Sequence, residues 1–293
     1  MSKTAIRARI ATDSSPPVIQ PGTPLTELQL VAGNSAAMAE VQRHLWRVQR
    51  SDVTVCLCGE TGTGKDFLAR LIHERGARRR GPFIPVNCLA TLQEPELFGH
   101  LGDALGGAQR RRAGKFEQAN HGTLFLDNVD ELSLPAQAML LRVVEDRRIH
   151  RANDSEDVPV DMRIICATRG NLERKITKGA FRADLFFRLV GYVIDVPALR
   201  NRSEDIPELV THFLQEYATA RGRDAPVVSA SALAALSRYA WPGNVRELRN
   251  VVECALLGCD GNDLDLWHLP PELRMLAADR ARGNDPSRLE AET

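Results

Sequence analysis

Apolar residues in this chain fall into two alternating textures. Short dense runs at Val53–Cys58, Phe83–Asn87, Thr123–Asp127, Arg163–Thr168 and Tyr192–Val196 predict buried strands. Between them apolar positions recur every three or four residues. In Ala136–Glu145, for instance, Ala136, Met139, Leu140, Val143 and Val144 share one face, which predicts an amphipathic helix. Buried strands alternating with helices predict an α/β fold whose parallel sheet is covered on both sides. After Pro197 the dense runs stop. Ile206, Leu209, Val210, Phe213, Leu214 and Tyr217 then follow helical spacing behind Ser203, a residue type suited to an N-cap. Two further helices are expected near Ser231–Tyr239 and Asn244–Leu257. The organisation read from this pattern is a flexible Pro/Ser/Thr-rich leader (1–26), an α/β domain (27–200), a small all-helical domain (201–262) and a loose charged tail (263–293).

Composition narrows the function classes. The 38 Lys and Arg balance 38 Asp and Glu, which excludes a globally basic nucleic-acid coat and an acidic solvating chain. Lys occurs only at positions 3, 65, 115, 175 and 178, so arginine carries most of the positive charge. The six cysteines (Cys56, Cys58, Cys88, Cys166, Cys254, Cys259) contain no CxxC pair, and four lie in or beside apolar runs, where Cys acts as a small hydrophobe. Neither a signal-peptide pattern nor 18 uninterrupted apolar residues occurs, so a cytoplasmic protein with no membrane span is expected.

Candidate chemistry begins at Gly59–Asp66, GETGTGKD, between the strand TVCLC and the helical stretch Phe67–Arg75. This is a G-x-x-x-x-G-K loop in its strand–loop–helix context. Gly59, Gly62 and Gly64 let backbone N–H groups converge on phosphate oxygens, with Glu60, Thr61 and Thr63 between them. Lys65 would reach the terminal phosphates, and Asp66 stands where a magnesium-binding hydroxyl is usual. Further on, GTLFLDN (122–128) is an apolar strand ending in Asp127, which would hold Mg²⁺ at the sheet edge.

With these residues in view the chain from about Val31 to Cys259 resembles the AAA+ central domain of bacterial sigma-54-dependent transcriptional activators. The resemblance is collinear: GETGTGKD, PFIPVNC (82–88), ELFGH (96–100), GKFEQANHGTLFLD (114–127), LLRVVED (140–146), FRADLFFRL (181–189) and WPGNVRELRN (241–250). It implies a AAA+ P-loop NTPase with a helical lid, binding ATP and Mg²⁺ through Asp66 and Asp127. It also implies assembly into a ring, hexameric in that family, with itself or a paralogue. Arg182 and Arg188 match the arginine fingers that reach a neighbour's γ-phosphate, and Arg246 the lid sensor. Thr168 matches the sensor strand end, and Asn87 the residue that switches against the catalytic glutamate. The implied partner is the sigma-54 RNA polymerase holoenzyme.

Three departures bear on function. Asn128 replaces the family's water-activating glutamate, and an amide accepts no proton at neutral pH. Were 127–131 extended, Asp130 would share the face of Asn128. The family's GAFTGA loop is here Asp103-Ala104-Leu105-Gly106-Gly107-Ala108, which lacks the Phe and Thr of the sigma-54 contact. Arg169 follows Thr168 where the family has Asn, and 150–154 replaces a Gly-rich second loop. The pattern of a receiver domain ahead of residue 27, or of a helix-turn-helix after Leu269, is not read in this sequence, so no DNA-binding domain is expected here. The arginines at 78–80 and 110–112 read as a solvated face or subunit contact. Two functions remain open: a sigma-54-type ATP-binding regulator with weak hydrolysis, and a non-hydrolysing, nucleotide-stabilised module that partners or antagonises an intact paralogue.

Overall fold

A computed structural model describes residues 33–89, 94–101, 111–150, 157–222, 224–259 and 263–275. The expected partner loop (103–108) and residues 151–154 lie outside the described residues.

The first helix among the described residues is α1 (Ala36–Gln49), capped by Ser35. Five strands then form one parallel sheet: β1 (Val55–Cys58), β2 (Phe83–Asn87), β5 (Thr123–Asp127), β8 (Arg163–Thr168) and β9 (Tyr192–Asp195), in the order β2–β5–β8–β1–β9. Pleating divides them between two apolar layers. Cys56, Leu124, Leu126, Ile164 and Cys166 pack against Phe98, Phe116 and Leu140, the last on the helix Leu134–Asp146. Their neighbours Val55, Leu57, Phe125, Ile165 and Ala167 face the opposite layer, where α1 and α2 (Lys65–Glu74) supply Met38, Val41, Leu45, Leu68 and Ile72. Short hairpins β3–β4 (Gly99–Leu101, Arg111–Ala113) and β6–β7 (Arg148–His150, Asp157–Pro159) lie outside this sheet. A parallel sheet covered on both faces is the predicted architecture. The predicted strand edges shorten by a residue or two at 53–54 and 196.

The second unit has its own core, with Leu199, Ile206, Leu209, Val210, Phe213, Trp241, Leu248 and Val252 buried together. Its helices run Ile206–Ala220, Ala230–Arg238 and Asn244–Leu257. Three details differ from the sequence reading. Ser203 caps nothing; it sits inside a 3₁₀ segment, Leu199–Asp205. The unit is not purely helical, because Val227–Val228 pairs in parallel with Asp263–Leu264. Nor does its packing stop at 262: Leu264, Leu269 and Leu273 are buried in the same core, since apolar residues in an otherwise polar tail gain by covering exposed helix faces.

Candidate functional site

The loop Gly59–Asp66 joins β1 to α2 at the C-terminal edge of the sheet. Gly59 N–H donates to the Thr168 carbonyl (3.2 Å), which holds the loop's root against the end of β8. Gly64, at φ 95°, is the N-cap of α2, and Gly62, at φ 79°, also adopts a backbone that L-side chains avoid. A Cβ on Gly62 would overlap the Gly243 carbonyl oxygen of the lid, so glycine is required there for contact as well as conformation.

Lys65 is buried. Its Nζ donates to the carbonyls of Gly59 (2.7 Å) and Glu60 (2.8 Å), which keeps the ammonium beneath the loop. Burial lowers its pKa, and the Asp127 carboxylate opposes that shift. Reciprocally, burial raises the pKa of Asp127 and Lys65 pulls it back. The two groups thus share one half-dry pocket. Asp127 at the end of β5 and Asp66 in the first turn of α2 offer hard oxygen donors, a set suited to Mg²⁺ completed by phosphates and water. Among the described residues no group of three or more His, Cys, Asp or Glu could hold a metal unaided.

Asn128 is buried and left-handed (φ 56°, ψ 47°), a conformation Asn tolerates better than most residues. Its Nδ2 donates to Asn87 Oδ1 at 3.3 Å, so Asn87, the residue expected to switch, meets an amide here. The chain does not continue extended beyond it. Val129–Glu131 form a 3₁₀ turn, because a left-handed residue reverses the backbone there. Asp130 consequently leaves the face of Asn128: it is buried, with Oδ2 3.3 Å from Lys175 Nζ and Oδ1 without a hydrogen-bond partner. Lys175 also contacts Glu131 (3.2 Å), and Arg169 lies 3.6 Å from the same carboxylate oxygen. Arg169 is near enough to the loop for its charge to act on Lys65. Buried Thr168 turns its Oγ1 to Gly170.

Arg182 and Arg188 are both exposed, at the start and within the helix Ala183–Leu189. Each is paired within its own chain, Arg182 with Asp184 (2.7 Å) and Arg188 with Glu145 (3.1 Å), and Phe187 beside them is 73% exposed. Arg78, in the first arginine cluster, is an internal tie: it bonds both Asp52 and Asp161 and holds their carboxyls below the ordinary range. The exposed side chain of Arg246 acts on both Lys65 and Asp127 by charge, and its backbone N–H reaches the Gly62 carbonyl (3.3 Å).

Sequence reasoning missed three residues that join the lid to this loop and a fourth that joins the lid to α1. Arg200 makes a two-pronged ion pair with Glu60 (2.7 and 2.5 Å), and Asn244 Nδ2 donates to Glu60 and to the Thr61 carbonyl. Buried Arg202 donates to the Thr63 carbonyl (3.0 Å). Buried Asp205 accepts from the Ser35 N–H and hydroxyl, both at 2.8 Å, and fastens the start of α1 to the lid. No local spacing signals these contacts, since all cross from 60–63 or 35 to 200–244.

A phosphate-type loop on a parallel sheet, a strand-end carboxylate beside its lysine and a helical lid packed on the loop define a AAA+ P-loop NTPase. The sigma-54 interaction domain family matches residues 31–195, and the AAA+ ATPase lid domain family matches residues 200–286. The chain belongs to the sigma-54 interaction domain family. It is 43% identical over 244 residues to the regulatory protein AtoC of Escherichia coli, covering 82% of this chain and 53% of that protein. To the transcriptional regulator NtrC of the same organism it is 43% identical over 246 residues (83% and 52%). NtrX of Brucella abortus, solved in complex with ATP, superposes with a TM-score of 0.76 at 36% identity, covering 83% of this chain and 54% of that one. The chain thus spans about half the length of these relatives. Among the described residues no helix is long and apolar enough to cross a membrane.

Proposed function

We propose that this chain is an ATP-binding AAA+ regulator of the sigma-54 activator type whose own ATP hydrolysis is weak. The observation carrying this reading is the pairing of buried Asn128 with Asn87 beside an intact Lys65–Asp127 pocket. Backbone N–H groups of the loop and Lys65 would hold the phosphates, and Arg246 would reach them from the lid. Asp127 and Asp66 would hold Mg²⁺, which when bound neutralises charge on the phosphate oxygens. What this site lacks is a group at position 128 that can take a proton from water, a role commonly contributing about 10²–10⁴ in rate. Bound ATP would be positioned yet fire slowly.

Arg182 and Arg188 would serve a neighbouring subunit, in a homomeric ring or in one shared with an intact paralogue. Both form exposed, solvent-screened ion pairs with their carboxylate partners, which are readily exchanged for a phosphate. Engagement of sigma-54 polymerase would pass through Asp103–Ala108, altered from the family loop, so normal activation is not expected. The second reading, a module that binds ATP, does not turn it over and partners or antagonises a competent relative, is favoured by the same amide pair. Steady-state ATPase measured against protein concentration, alongside nucleotide binding, separates the two. Weak turnover rising with concentration supports the regulator; tight binding without turnover at any concentration selects the module.

A further inference from the structure

The phosphate loop is glycine-rich, and such a loop loses much conformational freedom when it is held in one shape. In this molecule the restraint comes from the lid. Three consecutive loop carbonyls are engaged from that side: Thr61 by Asn244 Nδ2 (3.0 Å), Gly62 by the Arg246 N–H (3.3 Å) and Thr63 by Arg202 Nη2 (3.0 Å). Ahead of them the Glu60 side chain is gripped by Arg200 and Asn244. Asn244 is fully used, for its Oδ1 accepts from Leu199 N–H (2.7 Å) and its backbone sits in the left-handed region.

In a trans peptide the carbonyl and the N–H of the following residue point in opposite directions. Turning the carbonyls of Thr61, Gly62 and Thr63 toward the lid therefore turns the N–H groups of Gly62, Thr63 and Gly64 away from it. Among the described residues no acceptor meets those three N–H groups. They form the concave set of donors that receives an anion.

We infer that Arg200, Arg202 and Asn244 are positioning residues that shape this phosphate nest from the lid without touching nucleotide. The inference rests on the ATP-binding reading for its ligand, a nucleoside di- or triphosphate, but not for its geometry. Phosphate affinity and lid position become one equilibrium: a lid that swings away releases three carbonyls and lets the nest collapse, and a bound phosphate holds the lid down.

The test uses the full chain with Arg200→Ala, Arg200→Lys and Arg202→Met. Arg200 is 45% exposed, so its replacement leaves folding intact and thermal melting unchanged. Arg200→Ala weakens ATP and ADP together by about five- to tenfold, and Arg200→Lys, keeping one charge, loses less than half as much on a logarithmic scale. In nucleotide-free protein, amide hydrogen exchange at residues 61–64 speeds up in Arg200→Ala and more so in Arg202→Met. Binding within twofold of the parent and unchanged exchange at 61–64 would overturn the inference. Failure of the parent chain to bind ATP or ADP would instead overturn the functional reading, and the exchange rates would still decide this one.

Discussion

Replacing Asn128 by Glu supplies the carboxylate that the family resemblance places at this position, and the structure sets the size of the expected effect. A positioned base contributes about 10²–10⁴ in rate. Two features subtract from that gain. Asn128 is left-handed at φ 56°, where a longer side chain costs about 1–2 kcal/mol, roughly tenfold in the population of the present backbone. Asn87 must also turn its amide, because its Oδ1 now accepts from Asn128 Nδ2 and from the Leu89 N–H (3.1 Å); offering Nδ2 to a carboxylate releases the latter bond. That bond lies at an exposed residue and is a minor loss. The expected outcome is a steady-state ATPase raised by about 10- to 10³-fold, measured in a coupled assay at saturating Mg-ATP, with ATP affinity weakened by the added negative charge beside Asp127. A rate unchanged within twofold, with ATP demonstrably bound, would refute the reasoning. It would mean that Arg169, tied to Glu131, blocks the water's approach or that a different base already serves.

Asp205→Ala should cost about 3–5 kcal/mol in urea denaturation, because two buried donors on Ser35 lose a charged acceptor; a loss under about 1 kcal/mol would show that Ser35 finds another acceptor. Arg78 holds Asp52 and Asp161 below the usual carboxylate range, so its stabilising contribution is fully present above about pH 4, the unfolded value, and is lost as pH falls through the lower folded values. Arg78→Ala should therefore be less stable than the parent at neutral pH, and the difference should shrink in acid; a gap independent of pH would assign Arg78 to packing. Because the aspartates are largely exposed, that gap stays modest. Mixed with a hydrolysis-competent relative lacking both fingers, this chain should restore ATPase through Arg182 and Arg188, and no restoration in verified mixed rings would remove them from that role.

Much of the scaffold was legible because strands buried on both faces must be apolar throughout. Thr123–Asp127 and Arg163–Thr168 were read to the residue for that reason, as was the helix Asn244–Leu257, whose start follows Pro242-Gly243. The loop was legible because phosphate binding imposes glycine spacing on adjacent residues. Ser203 misled, since a good capping residue inside a 3₁₀ turn looks the same in sequence as one at a helix start. The placement of Asp130 was not legible, because the left-handed backbone of Asn128 reverses the chain, a property the pattern of side chains does not encode. The lid contacts of Arg200, Arg202, Asp205 and Asn244 were hidden for a further reason: they join segments about 140 to 180 residues apart. Arginines in a charged stretch look solvated until the fold brings carbonyls to them.

The departures at 128 and 169 are best weighed together, because they act on one electrostatic balance. Relative to the arrangement the family resemblance implies, an amide for a carboxylate removes one negative charge, and an arginine for an amide adds one positive. Both changes lie at the mouth of a pocket in which Lys65 is already partly desolvated and Arg246 contributes its field. In such a pocket each added positive charge favours a polyanion more than it would in water. On the proposed reading the missing base thus falls on the side of the balance that retains ATP, and the lid contacts to the loop are present. Random decay of an ATPase would be expected to loosen Arg202, whose burial is costly unless the lid stays closed on the loop. The buried Arg202 cation at the Thr63 carbonyl, beside an amide at position 128, favours the proposed subunit in which nucleotide maintains a shape and the exposed Arg182 and Arg188 are offered to a neighbour.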